Sequence, residues 1–96
     1  MAEPVFEWDQ GKARANLRKH GVAFELAALV FRDVFVKKDV QGDEHGEIRW
    51  QATGQVGRTV LRVIYTTKDE EEFEIIRLIS ARKATRSERR AYERVS

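Results

Sequence analysis

Apolar positions recur at helical spacing near the start and end of the chain and alternate with polar ones between. Val5-Phe6-Glu7-Trp8 follows Pro4 and predicts a short strand, because proline suits a strand start. Asp9 offers an N-cap for a helix over about Gln10–His20, with Ala13, Leu17 and His20 at helical spacing and Asn16 on the same side. Gly21 suits the left-handed residue that ends a helix. Val22–Phe31 puts Phe24, Ala27, Ala28 and Phe31 on one face and predicts a second short helix after a tight joint at Lys19-His20-Gly21-Val22. A strand is expected over about Val34–Lys38, and Asp39–Gly46 reads as a loop. Glu47–Gly54 predicts a strand, and Gly54-Gln55-Val56-Gly57 a turn. Thr59–Thr67 alternates with apolar residues on both faces, as in a central strand covered at least partly on both sides. Lys68–Glu72 is the next turn, and Phe73–Ala81 the last strand. Thr85-Arg86-Ser87-Glu88 is a capping box that opens a helix over about Arg86–Arg94. Helices grouped apart from a run of strands predict an α+β fold: an antiparallel sheet with two N-terminal helices and a C-terminal helix.

Ninety-six residues suit one domain, 1–96. The longest apolar stretch, Val22–Phe31, is interrupted by Glu25 and falls short of the ~20 residues of a membrane span. Met1-Ala2-Glu3-Pro4 lacks the basic start and apolar core of a secretion signal, so a soluble cytoplasmic protein is expected. The absence of cysteine excludes disulfides, thiolate metal sites and cysteine nucleophiles. Two histidines argue against a multi-histidine metal site.

Charge changes the picture more. Charged residues are 35% of the chain, above the ~25% usual for soluble domains. The formal net charge of +2 hides a segregation. Asp69, Glu70, Glu71, Glu72 and Glu74 form an acidic run, whereas Arg77, Arg82, Lys83, Arg86, Arg89, Arg90 and Arg94 follow it. Lys12, Arg14, Arg18 and Lys19 cluster beside His20. Arginine's planar fork suits bidentate phosphate contact, so the basic clusters point to nucleic acid or an acidic partner. Each run taken singly also fits a solvated helix face.

Among candidate chemical groups, His20 sits at a helix C-terminus, which favours its protonated form. Its bland alternative is a helix-ending histidine without chemistry. Arg49, Arg62 and Arg77 lie on predicted strands and, with the strands in register, converge on one face with Arg82 or Arg86. That face would hold a phosphate and stabilise developing charge; otherwise the stems pack on the sheet and the heads reach water. Trp8 and Trp50 either stack on bases or belong to the core. Tyr92 either packs on the sheet or places a phenol near substrate. His45 reads as solvated, and Asp39, Asp43, Glu44, His45 and Glu47 lack ordered metal-loop spacing.

Several segments together resemble one family. Phe6-Glu7-Trp8-Asp9, Lys12, Asn16, Lys19-His20-Gly21-Val22, Phe24-Glu25, Ala27, Val30-Phe31 and Asp33 are similar to the opening of the BrnT family. Ile76-Arg77-Leu78-Ile79-Ser80-Ala81-Arg82 with Ala84, Glu88 and Tyr92 resembles its close. The resemblance spans nearly the whole chain, with Gln41–Glu47 corresponding least. It implies a RelE-like fold and a ribonuclease toxin of a type II toxin–antitoxin pair that arrests translation and growth. It also implies a BrnA-like ribbon-helix-helix antitoxin, autorepression of the operon by the complex, and a toxin dimer within it. No cofactor is implied. Metal-independent RNA cleavage needs a base, an acid and positive charge on the phosphate. On this reading His20 is the candidate base or acid, and Lys19, Arg49, Arg77 and Arg82 stabilise charge. Glu25 is a weaker alternative base, and Arg86 and Tyr92 bind or orient RNA.

Two other readings compete. A non-catalytic RNA- or protein-binding module of the same fold would shift RNA without cutting it. A direct DNA-binding regulator lacks support, because no pair of predicted helices forms a helix-turn-helix arrangement.

Overall fold

In the computed structural model, which describes residues 3–95, five strands form one sheet. Strand β1 (Pro4–Glu7) leads into helix α1 (Gln10–His20), then the single-turn helix α2 (Phe24–Ala27), which tightens into a 3-10 turn over Ala28–Arg32. Strands β2 (Lys37–Glu44), β3 (Glu47–Val56), β4 (Thr59–Asp69) and β5 (Glu74–Lys83) follow as a meander, and helix α3 (Arg86–Val95) closes the chain. The sheet order is β1-β5-β4-β3-β2.

The α+β class agrees with the hydrophobic pattern, but the sheet is mixed rather than antiparallel. β1 pairs with β5 in parallel, Phe6 opposite Ile76 and Glu7 opposite Arg77. α1 and α2 lie between β1 and the meander in sequence, which gives the chain length enough to return β1 alongside β5 in the same direction.

The largest correction falls on β2. Val34 and Phe35 are not strand: the Asp33 side chain accepts from the Phe35 amide at 2.9 Å, and the Val36 amide bonds the Asp33 carbonyl at 3.1 Å, forming a turn. The polar stretch read as a loop is instead an edge strand, paired with β3 from Lys37↔Thr53 to Glu44↔Glu47. Its polarity reflects exposure, and main-chain pairing decides its conformation. His45 (φ 53°) and Gly46 (φ 80°) make the two-residue turn, with the positive φ values of a type I′ hairpin. The expected second helix is also shorter: it starts at Phe24 and turns 3-10 after Ala27.

One face of the sheet carries the core. Phe24, Ala27 and Val30 pack on Ala52, Leu61, Val63, Tyr65, Leu78 and Ala81. Gly54 permits this closeness, since a Cβ there would lie 2.7 Å from Val30 Cγ1. Two side chains finish sheet edges where a neighbouring strand stops. Beyond the end of β1, the Asn16 carboxamide donates to the Ala81 carbonyl at 2.9 Å and accepts from the Ala81 amide at 3.0 Å. It also donates to the Val22 carbonyl at 2.9 Å, pinning the joint after Gly21. On β3, past the last β2 pair, Asp33 accepts from the Gln55 amide at 2.7 Å.

The opposite face is covered only at one end, by α3. Val60 and Tyr92 are buried there, outside the main core cluster. Farther along this face Arg77 is exposed and Arg49 half-buried, although Thr66 is buried, so α3 covers β4 along only part of its length.

Candidate functional site

At the α3 end of the open face, strand register sets two guanidinium groups side by side. Arg62 on β4 is the direct partner of Arg82 on β5. Like charges opposite one another across strands are destabilising. Glu88, in the first turn of α3, offsets this. Its carboxylate accepts from Arg82 Nη1 at 2.8 Å and Nη2 at 3.0 Å, a bidentate fork, and from Arg62 Nη1 at 2.6 Å. Arg62 Nε is steered by the buried Thr53 hydroxyl at 3.3 Å.

The capping box forms as the sequence predicts and places Glu88. Its amide bonds the Thr85 hydroxyl at 3.2 Å, and its Oε1 accepts from the Thr85 amide at 2.9 Å. One side chain thus caps α3 and joins two arginines of the sheet. The hydrogen bond from Arg82 holds the Glu88 carboxyl down from 4.5 to about 2 against the opposing effect of burial, helped by the Thr85 amide and the Arg62 charge. The same hydrogen bond raises the Arg82 pKa. The group is two fixed cations and one carboxylate at the rim of an open sheet face. Such a pair of guanidinium forks suits an anionic oxygen cluster such as a phosphodiester.

The remaining predicted site residues are spread out. Arg77 lies on the same face farther along β5, paired with Glu7 at 2.8 Å, and shares a shallow depression with Glu47, Thr66 and Lys68. Arg49 on β3 pairs with Glu44 across the hairpin at 3.2 Å. From Arg62 to Thr66, the partner of Arg77, is four residues of strand, roughly 13 Å at ~3.3 Å per residue. Lys19 and His20 form the last turn of α1, where Gly21 (φ 70°) ends the helix with its amide on the Leu17 carbonyl. Asn16 ties α1 to Ala81, and the helix runs alongside β5. Its basic end therefore comes to the end of β5 that carries Arg82. Glu25 and Arg86 are exposed, at the starts of α2 and α3.

Tyr92 is buried, and its hydroxyl donates to Asp33 Oδ2. Burial and this bond raise the Tyr92 phenol to about 12. Burial pushes Asp33 up, but its hydrogen bonds from Tyr92, Gln55 and Phe35 outweigh that and hold it below its ordinary value. Tyr92 therefore latches α3 to the edge of β3. Trp8 packs edge-on against Phe24 in the core, whereas Trp50 is half-buried beside Tyr65.

Arg62 and Glu88 are the site members that sequence reasoning underweighted. The capping box located Glu88 as a helix residue, and alternation located Arg62 on a strand face. Neither reveals that one carboxylate reaches two strands, because that depends on β4–β5 register and on where α3 crosses the sheet.

Among the described residues, no three His, Asp or Glu side chains gather into a metal-sized group, and no helix is long and apolar enough to cross a membrane. No curated protein matches the chain. Residues 8–88 match the family model of the ribonuclease toxin BrnT of type II toxin–antitoxin systems, a span that begins directly after β1 and includes the helices α1 and α2, the whole meander and the Arg62–Arg82–Glu88 cluster. With most of its length and its basic cluster inside that match, the chain belongs to the BrnT family of ribonuclease toxins, whose type II systems pair each toxin with an antitoxin.

Proposed function

We propose that this toxin is a RelE-like endoribonuclease that cuts RNA without a metal ion, and that the Arg62–Arg82 pair binds the scissile phosphodiester. The observation that carries this reading is the cross-strand guanidinium pair held ready by Glu88 on an open sheet face. In this mechanism the neighbouring 2′-hydroxyl attacks phosphorus and the P–O5′ bond breaks. The products are a 2′,3′-cyclic phosphate and a 5′-hydroxyl. A base takes the 2′-proton and an acid supplies one to the leaving oxygen. His20 serves as base or acid from the basic end of α1, with Lys19 beside it, and Glu25 is the alternative base. Arg82 and Arg62 stabilise the developing charge, while Arg77 and Arg49 hold flanking phosphates farther along the face. Arg86 contacts RNA at the start of α3, and Tyr92 contributes by fixing that helix.

Expression in the cytoplasm then arrests translation and growth. A BrnA-like ribbon-helix-helix antitoxin neutralises the toxin, binds a toxin dimer and represses the operon with it.

The test is cleavage of a defined RNA with EDTA present, using all-ribose and 2′-deoxy substrates. Cleavage of the ribose substrate alone, ending in a cyclic phosphate, is expected. Arg82→Ala should lower the rate by roughly 100-fold or more, the usual cost of removing one charge-stabilising group. Cleavage of both substrates alike, or full activity in Arg82→Ala, would refute the mechanism.

A further inference from the structure

The helix face of the sheet is left uncovered at the end away from α3. There a pocket of about 180 Å³ opens, lined by Phe31, Lys38, Trp50, Tyr65, Thr67, Glu74 and Ile76. Drug-sized molecules fill pockets of ~300–1,000 Å³, so this one has room for a single planar ring system. Its walls are aromatic: Phe31 meets Tyr65 edge-on at 4.9 Å, and Trp50 is the cross-strand partner of Tyr65. The Lys38 ammonium sits 5.8 Å from the Phe31 ring centre.

The polar groups here are unspent. Tyr65 is 3% exposed, yet its hydroxyl makes no hydrogen bond to any described residue. The Glu74 carboxylate, the Thr67 hydroxyl and the Lys38 ammonium likewise have no hydrogen bond or ion pair among the described residues. The ring is buried, but the hydroxyl oxygen is not sealed in the core, since no fully buried side-chain oxygen among the described residues lacks a partner; it lines the pocket and is open to a ligand. Burial, with the Glu74 and Asp39 charges, raises Tyr65 to about 12, so it stays a neutral hydrogen-bond donor.

We propose that this pocket is a nucleobase-binding site that selects guanine. Aromatic walls suit base stacking, which is sequence-tolerant, so selection falls to the polar groups. Guanine presents two adjacent N–H donors on its Watson–Crick edge, matching the two acceptor oxygens of Glu74. Uracil presents a single N–H there, flanked by two carbonyls, so only one carboxylate oxygen gains a donor and the other meets a repelling carbonyl. The Tyr65 phenol donates to a ring acceptor, and Lys38 reaches the base oxygen or the phosphate of the same nucleotide. The pocket lies on the face opposite Arg62 and Arg82, so the inference is independent of the cleavage reading and needs no turnover to be tested.

The experiment is titration of the full chain with GMP and UMP, followed by tryptophan fluorescence and calorimetry. Saturable GMP binding at least ~10-fold tighter than UMP binding is expected, a difference of about 1.4 kcal/mol. Glu74→Gln should reduce the preference to within about 3-fold, and Tyr65→Phe should weaken GMP binding about 5-fold, the scale of one neutral hydrogen bond. Tyr65→Phe should leave the urea midpoint unchanged or higher, because its hydroxyl has no internal partner to lose. Equal affinity for both nucleotides would overturn the proposal, as would no saturable GMP binding. Competition by inorganic phosphate as strong as that by GMP, or unaltered binding in both variants, would overturn it too.

Discussion

Glu88→Gln separates the charge of the cluster from its geometry. Glutamine keeps an oxygen that can accept the Thr85 amide, so the cap on α3 survives, while Arg62 and Arg82 lose the carboxylate between them. The fall of the Glu88 carboxyl from 4.5 to about 2 corresponds to roughly 3 kcal/mol at 1.36 kcal/mol per pH unit. Solvent lowers this figure, because the Arg82 side chain is 39% exposed. A loss of about 2 kcal/mol is expected at pH 7, consistent with hydrogen bonds between charged groups. For a chain of this length it corresponds to a drop of about 8–16 °C in melting temperature. The assay is urea unfolding of both proteins across pH. Unfolded Glu88 takes its proton near 4.5 and folded Glu88 only near 2, so acid favours the unfolded chain. The advantage of the wild type is therefore full above about pH 5 and disappears as pH falls from 4.5 towards 2. A difference below about 0.5 kcal/mol at pH 7 is within the range of an ordinary surface change and would refute the reasoning. A difference that does not vary with pH would assign it to packing instead.

Asn16→Ala leaves the Ala81 amide, the Ala81 carbonyl and the Val22 carbonyl without their partner, at about 1–3 kcal/mol for each buried group. A loss of roughly 3–5 kcal/mol in chemical unfolding is expected, and one under 1 kcal/mol would show that water replaces the carboxamide. Tyr92→Phe removes the latch to Asp33 and should cost about 1–2 kcal/mol at neutral pH. Because folding raises the Tyr92 phenol from 10.0 to about 12, that advantage is present below pH 10 and declines between these values; a gap that widens with pH would contradict the assignment. Gly54→Ala places a methyl 2.7 Å from Val30 Cγ1 and should destabilise by about 1–3 kcal/mol through overpacking, whereas wild-type stability would mean that the 3-10 turn shifts freely.

Local chemistry made much of the fold legible. Asp9 and Gly21 bound α1 as predicted, with the Asp9 side chain accepting from the Lys12 amide and the Gly21 amide on Leu17. The Thr85–Glu88 box starts α3 where the sequence places it, and alternation locates β4 and β5 to within a few residues. These signals involve residues a few positions apart, so composition and spacing encode them. Periodicity does not reveal β2, because an edge strand exposed to water carries no apolar stripe; its identity comes from main-chain pairing with β3. The parallel docking of β1 was hidden for a related reason, since four residues of sequence hold no record of their partner's direction.

The site divides along the same line. The sequence by itself supplied an arginine-rich second half, a basic helix end at Lys19-His20 and a set of residues that resembles one toxin family. Tertiary structure decided which cations work together. Register brings Arg62 and Arg82 together 20 positions apart in sequence, whereas Arg77 and Arg49 pair with Glu7 and Glu44 elsewhere on the sheet. It also turned Asn16 and Asp33, ordinary polar residues in the sequence, into the partners of unfinished strand edges, and left the Tyr65 hydroxyl lining a pocket without one among the described residues. Capping and periodicity act over one or two turns of chain and are written locally. Which charges meet depends on strand register and helix docking, and the summed burial of the whole core sets those.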